Sequence, residues 1–400
     1  VTAADVALIA PYPSRRSTLP SGVAWYTERL STALADQGVA VEVVAPTLAD
    51  EPTKASFGDV AVHRAFRRGG PAALPAAARA ARRCGAPVVH LQYETFLYGG
   101  PASVVGVAPA LAGLRRHGPV VTLHQVVDPA SVDGDFTRVH RVPVPPSLAR
   151  AGLATLQRTV STLAATTVVH ERAFERLVPD AVVVPHGLDT GRLPADRTAL
   201  KSALGLDPTR FTALCFGFLS PYKGLEAALD AAVVAGDAVR LVVAGGTHPR
   251  LAGRDPYAAD LRHRYGGTAR FVGYVPDDAV ADWFGAADVL LLPYPRPFAS
   301  SGPFALALGY GTPVLCSTAF ARCVGAPDLL GAPIDPAGLG ARLLRLATDP
   351  THRQAVASAT AALADGRTWA DVARRHIAIY EEVTHAHRSA GRRVRPGKPG

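Results

Sequence analysis

Of the 42 Lys and Arg residues in this chain only Lys54, Lys201, Lys223 and Lys398 are lysines. Lys223 stands out by position. The apolar run FTALCFGFL ends at Ser220-Pro221-Tyr222, and Gly224 and a second apolar stretch follow the lysine. A lysine at a strand-to-helix turn beside glycine puts a flexible ammonium next to helix N-terminal amides, which suits a phosphate. A solvated loop lysine is the equal alternative on this local pattern. A second constellation comes earlier. His90, Gln92, Tyr93 and Glu94 end the run PVVHLQYE ahead of Gly99-Gly100, and PVVTLHQV brings His124 to the same edge. One histidine at a strand end is more often structural, whereas two neighbouring strand ends carrying polar groups point toward a site. Asp128, Asp133 and Asp135 share a Pro-rich loop, 128–146. Their spacing does not fit an EF-hand and no His or Cys partners follow, so a solvated loop without metal is expected.

An alternating α/β framework must hold these groups. VALIA (6–10) leads through a loop into VAWYTERLSTALADQG, where Val23, Thr27, Leu30 and Leu34 recur at helical spacing. Gly38 ends that helix before the strand VAVEVVAP. The loop lacks G-x-G-x-x-G and offers only Gly22 at the helix start, which eases a turn or lets backbone approach a ligand. Helices at 71–83, 101–116 and 147–164, strand TTVVH (166–170), a short helix ending near Val178 and strand AVVVPHGLD, which holds His186, complete the first half. The polar segment 190–210 is the expected linker. Beyond it, strands 212–218, VRLVVAGG, ARFVGYV, DVLLLPY and TPVLC alternate with helices at 224–235, 257–265, 277–286 and 303–310. Finally, WADVARRHIAIYEEVTHAH carries the stripe Val372, His376, Ile379 and Val383 and is expected to cross back onto the first domain. The expected class is α/β, two Rossmann-like parallel-sheet domains facing across a cleft. Their expected extents are 1–190 plus the returning helix 370–387, and 191–369, with a flexible basic tail at 388–400.

Composition narrows the function classes. Four hundred residues exceed one core and suit two domains of roughly 180 residues. The net charge of +9 includes Arg392, Arg393, Arg395 and Lys398, and the remaining cations are scattered. No basic helix or aromatic-basic module exists, so an anionic small substrate is expected and nucleic acid is not. Cys84, Cys215, Cys316 and Cys323 form no C-x-x-C pair and are expected as buried thiols of a reducing compartment. With no leader pattern and no uninterrupted apolar run of about eighteen residues, a cytoplasmic protein is expected. The basic surface is compatible with peripheral contact at an anionic membrane.

The order and spacing of these pieces resemble glycosyltransferase family 4 (group 1), retaining transferases of the GT-B fold. The pieces are SG-VAWYTERLSTALADQGVAVEVV, PVVTLHQV, VVVPHGLD, GFLSPYKGLEAALDA, LVVAGG, FVGYVPDDAVADWFGAADVLLLPY and ALALGYGTPVLCS, which cover nearly the whole chain. The resemblance implies a nucleoside diphosphate sugar as donor, a hydroxyl acceptor and no cofactor or metal. It implies that Lys223 and Gly217 hold the donor diphosphate, that Gly22 lets the backbone approach it, and that His124 lies near the transferred sugar. Ser300, Ser301, Gly302 and Pro303 would open a helix facing the phosphate, and Tyr274 and Val275 would hold the base. His90, Gln92, Tyr93, Glu94 and His186 are assigned to positioning of sugar or acceptor, and Glu94, His124 and Lys223 to catalysis. Three positions depart from the family pattern. Phe218 stands where an Arg is usual, and Phe298 and Leu306 stand where a pair of glutamates eight apart is usual. The sequence SSGPFALALGYGTPV instead resembles a subset with Ser and Gly in this loop.

The implied chemistry is glycosyl transfer with retention at the anomeric carbon. Lys223 and the amides near Ser301 would stabilise the departing diphosphate. A non-catalytic sugar-binding or partner subunit is the main alternative, and a sugar-nucleotide 2-epimerase a weaker one because 218, 298 and 306 are apolar. The Ala-, Arg- and Gly-rich, Lys-poor composition suggests a high-GC genome of actinobacterial type, where such enzymes build envelope glycans and antibiotics. Donor base, sugar, acceptor and oligomeric state are not legible in the sequence.

Overall fold

Apolar runs four to six residues long, interrupted only by His90, Gln92 and Thr122 in the cases of VALI, VVHLQY and PVVTL, become strands buried on both faces, as expected where helices cover a parallel sheet from both sides. The computed structural model describes residues 4–14, 22–95, 97–140, 142–191, 196–247 and 255–393. Contacts divide the chain into two units. The first comprises Val1–Gly187, Phe298–Ser300 and Trp369–Gly400, and the second Leu188–Pro297 and Ser301–Thr368.

The first unit begins β1 (Val6–Ile9), α1 (Gly22–Ala35), β2 (Val41–Pro46), β3 (Lys54–Phe57), β4 (Val60–Phe66), α2 (Ala73–Arg83) and β5 (Val88–Tyr93). It continues α3 (Val107–Leu114), β6 (Pro119–Leu123), α4 (Gly134–Val139), α5 (Pro146–Leu163), β7 (Thr166–Val169), α6 (Arg172–Glu175) and β8 (Val182–Val183). The sheet order is β3-β4-β2-β1-β5-β6-β7-β8, parallel except for the β3–β4 hairpin. The stripe expected on α1 is the buried one, and Gly38 ends the helix with φ +84°.

The second unit holds α7 (Arg197–Ala203), β9 (Phe211–Phe216), α8 (Leu225–Ala235), β10 (Val239–Ala244), α9 (Pro256–Tyr265), β11 (Ala269–Gly273) and α10 (Val280–Ala286). After these come β12 (Val289–Leu292), α11 (Gly302–Tyr310), β13 (Val314–Ser317), α12 (Thr318–Val324), β14 (Gly331–Ala332), α13 (Pro336–Thr348) and α14 (Pro350–Ala362). Its parallel sheet runs β11-β10-β9-β12-β13-β14. Numbered within the unit this is 3-2-1-4-5-6, the Rossmann order, whose ligand crevice lies beyond the carboxyl ends of the first and fourth strands. Here those strands are β9 and β12.

The final helix, α15 (Trp369–Arg393), belongs to the first unit and buries Val372, His376, Ile379 and Val383 there. It also corrects the expected tail, because residues 388–393 continue the helix and only 394–400 lie outside the described residues. Two segments expected as loop or linker contain helices. In 128–146, α4 starts where Asp133 caps Phe136 N. In 190–210, Asp196 caps α7, which turns Lys201 inward onto Asp288 at 2.6 Å. Both helices are at most seven residues long, too short to show a period in sequence, and each is fixed by a side-chain cap.

Candidate functional site

In the second unit β9 ends at Phe216 and the chain turns at Gly217, whose φ of +92° favours glycine. A side chain at Gly217 would come within 2.8 Å of Lys223 Nζ and 3.5 Å of Pro303 Cγ. The glycine, the ammonium and the first turn of α11 therefore converge on one point. Ser301 caps α11 by accepting from Phe304 N, and it also neighbours Tyr294 Oη at 3.5 Å. The cap engages Phe304 N, and Pro303 has no N–H, so among the described residues Gly302 N is the leading amide left at the positive end of the helix dipole, a place suited to an anion.

Lys223 is only 6% exposed, and its Nζ donates to the Phe216 carbonyl at 3.2 Å. Among the described residues no carboxylate pairs with it, in contrast to Lys201 on Asp288. Burial pushes its ammonium down from the ordinary lysine value to about 8, with the Cys215 thiol opposing slightly. A buried cation without a counter-charge is costly unless something anionic arrives.

Two further glycines complete this surface, Gly245 and Gly246, which sequence reasoning did not assign to the site. A Cβ on Gly245 would lie 2.0 Å from the Gly217 carbonyl oxygen, so two backbones meet where no side chain fits. Gly246 abuts Tyr274, which is 46% exposed, while Val275 is buried. The glycine pair closing LVVAGG was the available signal.

In the first unit the polar residues of β5 and the following loop separate into two kinds. Glu94 and His186 are half-buried; Glu94 Oε1 accepts from Gln125 Nε2 at 3.1 Å, and His186 Nδ1 donates to the Gly187 carbonyl at 2.7 Å. His90, Gln92 and Tyr93 are a correction to their expected place at the ligand edge. β5 is paired with β1 through Leu91 and with β6 through Tyr93, and all three side chains are buried. Tyr93 stacks on Tyr98 with ring centroids 6.3 Å apart.

His90 and Gln92 instead belong to a buried chain that ends near His124. Tyr380 Oη of α15 lies 2.7 Å from His90 Nδ1, and His90 Nε2 lies 2.7 Å from Thr122 Oγ1 and 3.2 Å from Gln92 Nε2. Gln92 Oε1 is 2.7 Å from His124 Nε2, His124 Nδ1 is 3.2 Å from His170 Nε2, and His170 Nδ1 is 2.9 Å from the Val184 carbonyl. The Tyr26 ring packs against His124, His170, His186 and Trp369 with centroids 4.8 to 5.2 Å away. Burial, reinforced by neighbouring imidazoles, holds His90 and His124 well below the usual histidine range. His124 is 6% exposed, and both its ring nitrogens face protein partners. His170, Tyr26 and Tyr380 were not foreseen.

Gly22 opens α1 with nothing within 4 Å of where a Cβ would lie. Phe298–Ser300 return to the first unit, where Val126 N donates to the Phe298 carbonyl at 2.7 Å and the Phe298 ring stands edge-on to His140 at 5.0 Å. Ser300 is thus grouped apart from Ser301, Gly302 and Pro303. Leu306 packs half-buried against the second core. The chain's one D-x-D triplet, Asp133-Gly134-Asp135, is structurally engaged, with Asp133 capping α4 and Asp135 paired with Arg138 at 2.7 Å. Among the described residues no group of three His, Cys, Asp or Glu side chains is placed to hold a metal ion. No helix among them is long and apolar enough to cross a membrane.

Residues 20–192 match Glycosyltransferase Family 4. The chain is 30% identical over 222 residues to the lipopolysaccharide core biosynthesis mannosyltransferase LpsB of Rhizobium meliloti, covering 52% of this chain and 62% of that protein. It is 33% identical over 259 residues to the 2-deoxystreptamine glucosyltransferase of Streptomyces kanamyceticus, covering 60% and 62%. In both cases the match spans less than two thirds of the relative's length. Among solved structures, sucrose-phosphate synthase from Thermosynechococcus elongatus superposes with a TM-score of 0.74 at 19% identity, over 95% of this chain and 99% of that one. That likeness carries the fold.

Proposed function

Since residues 20–192 match glycosyltransferase family 4 and the chain has the GT-B fold, we propose that it is a transferase of that family, moving a sugar from a nucleoside diphosphate sugar to a hydroxyl acceptor with retention at the anomeric carbon. The observation that carries this is the buried, carboxylate-free ammonium of Lys223, held between Gly217 and the N-terminus of α11. A diphosphate supplies the charge that this point lacks. As the glycosyl bond breaks, negative charge grows on the leaving diphosphate, and Lys223 with the leading amide of α11, at Gly302, stabilises it more than the intact donor. Tyr274 beside Gly246 offers an aromatic face to the base.

His124 and Glu94 act on the sugar side, with the leaving diphosphate oxygen taking the acceptor's proton. The acceptor belongs to envelope glycan or natural-product biosynthesis, as for the two named relatives. One observation favours the non-catalytic alternative: Phe298 and Leu306 supply no carboxylate where glutamates are usual, and both are packed into apolar surroundings. Calorimetry against UDP, GDP, ADP and TDP and their sugar conjugates separates the two. Saturation at one hundred times the dissociation constant would add about 2.7 kcal/mol to stability. Binding of one nucleotide, weakened several-fold or more in Lys223→Ala, is expected; turnover of its sugar conjugate with retained configuration would complete the assignment, and binding without any turnover would favour the non-catalytic protein. Absence of nucleotide binding would refute both the diphosphate site and the transferase.

A further inference from the structure

Counting protons along the chain from Tyr380 to Val184 shows that the contacts are coupled. The Val184 carbonyl only accepts, so Nδ1 of His170 carries a proton. If Gln92 presents its oxygen to His124, Nε2 of His124 carries one as well. A neutral His124 and a neutral His170 would then face each other with two lone pairs at 3.2 Å. Only an additional proton between them would make that contact a hydrogen bond.

Turning the Gln92 amide by half a turn, which leaves its outline unchanged, removes the conflict. Its NH2 then donates to His124 Nε2, His124 Nδ1–H donates to His170 Nε2, and His170 Nδ1–H donates to Val184. On the other side His90 Nε2–H donates to the Gln92 oxygen while Tyr380 O–H donates to His90 Nδ1. The single Nε2–H of His90 is shared between the Gln92 oxygen at 3.2 Å and Thr122 Oγ1 at 2.7 Å, each contact from Gln92 to Val184 holds one proton, and all three imidazoles are neutral. Their burial favours this neutral arrangement. The other titratable groups packed around the His124–His170 pair are Tyr26 and His186, with His376 next to His90 and the buried Glu171 following His170 in the chain.

We propose that Gln92 is a positioning residue whose amide orientation selects which ring nitrogen of His124 carries the proton, and that uptake of one proton by the His124–His170 pair reverses that orientation. In the neutral chain His124 Nε2 accepts; in the proton-loaded chain it donates. The consequence for turnover rests on the role proposed above for His124, whereas the tautomer does not.

The test uses the full chain with 15N-labelled histidine, read by two-bond proton–nitrogen spectra, with His124→Gln identifying the His124 signals. At pH 7.5 the wild type is expected to show His124 protonated at Nδ1; protonation at Nε2 alone would overturn the neutral arrangement without recourse to any variant. Gln92→Glu presents a carboxylate that only accepts, so His124 should move to the Nε2–H form. Turnover should fall about tenfold or more while the donor KM changes little, as for other partners that orient an imidazole. An unchanged tautomer in Gln92→Glu would overturn the proposal. A switched tautomer with unchanged turnover would remove His124 from the reaction, and with it the positioning role, while leaving the Lys223 site standing.

Discussion

Raising the pH from 7 to 9 should weaken nucleoside diphosphate binding about tenfold. Lys223 is held near 8 by burial, so its charged fraction falls from about 0.9 at pH 7 to about 0.1 at pH 9. If only the ammonium form pairs with the diphosphate, affinity follows that fraction. Ligand binding in turn favours the charged lysine, so each molecule bound at pH 9 should take up about 0.9 proton and at pH 7 only about 0.1. The nucleotide's own terminal ionisation, near pH 6 for a phosphate ester, does not overlap this window. Calorimetry in two buffers of different ionisation enthalpy reads the uptake directly. Lys223→Ala should abolish both the uptake and the decline while the fold survives, because among the described residues the lysine ammonium makes one hydrogen bond, to the Phe216 carbonyl. Equal affinity at pH 7 and pH 9 in the wild type, or the same proton uptake in Lys223→Ala, would refute the argument.

The buried histidines make the first unit acid-sensitive. His90 and His124 are held well below the ordinary value and His376 is lowered to about 4, mainly by burial. Their unfolded forms therefore bind more protons below about pH 6.5, and stability should fall steadily from there toward pH 4; urea midpoints unchanged between pH 7 and pH 5 would contradict this. Gly245→Ala places a methyl 2.0 Å from the Gly217 oxygen and should cost about 1–3 kcal/mol together with nucleotide binding. Gly22→Ala meets open space and should leave the melting temperature nearly unchanged, so any loss of donor affinity there reports close approach of the ligand. Lys201→Ala strands Asp288, which among the described residues retains Arg197 at 3.3 Å and the Thr212 amide at 2.8 Å, and should cost about 3 kcal/mol in chemical denaturation.

Both sheets were legible because their strands are continuous apolar runs and their helices carry a period, and these are properties of neighbours in sequence. Lys223 was legible for a related reason. A strand-to-helix turn fixes where its side chain emerges whatever surrounds it, and in the 3-2-1-4-5-6 order of the second unit the turn after β9 lies at the ligand crevice. The short elements were not legible. The four residues of β3 pair only as an antiparallel edge on β4, and α7 owes its place to Asp196 and to Lys201 reaching Asp288.

The sequence by itself determined two parallel-sheet units, their order and the lysine at the turn of the second, since each depends on residues close along the chain. Which of the polar residues around β5 face a ligand was decided by tertiary structure alone. His90, Gln92 and Tyr93 look like a strand-end cluster until β1 pairs with the strand through Leu91 and β6 through Tyr93. Burial then obliges the side chains of His90 and Gln92 to find partners far away in sequence. His90 meets Tyr380 at a separation of 290 residues and His124 meets His170 at 46, distances over which no local pattern carries information.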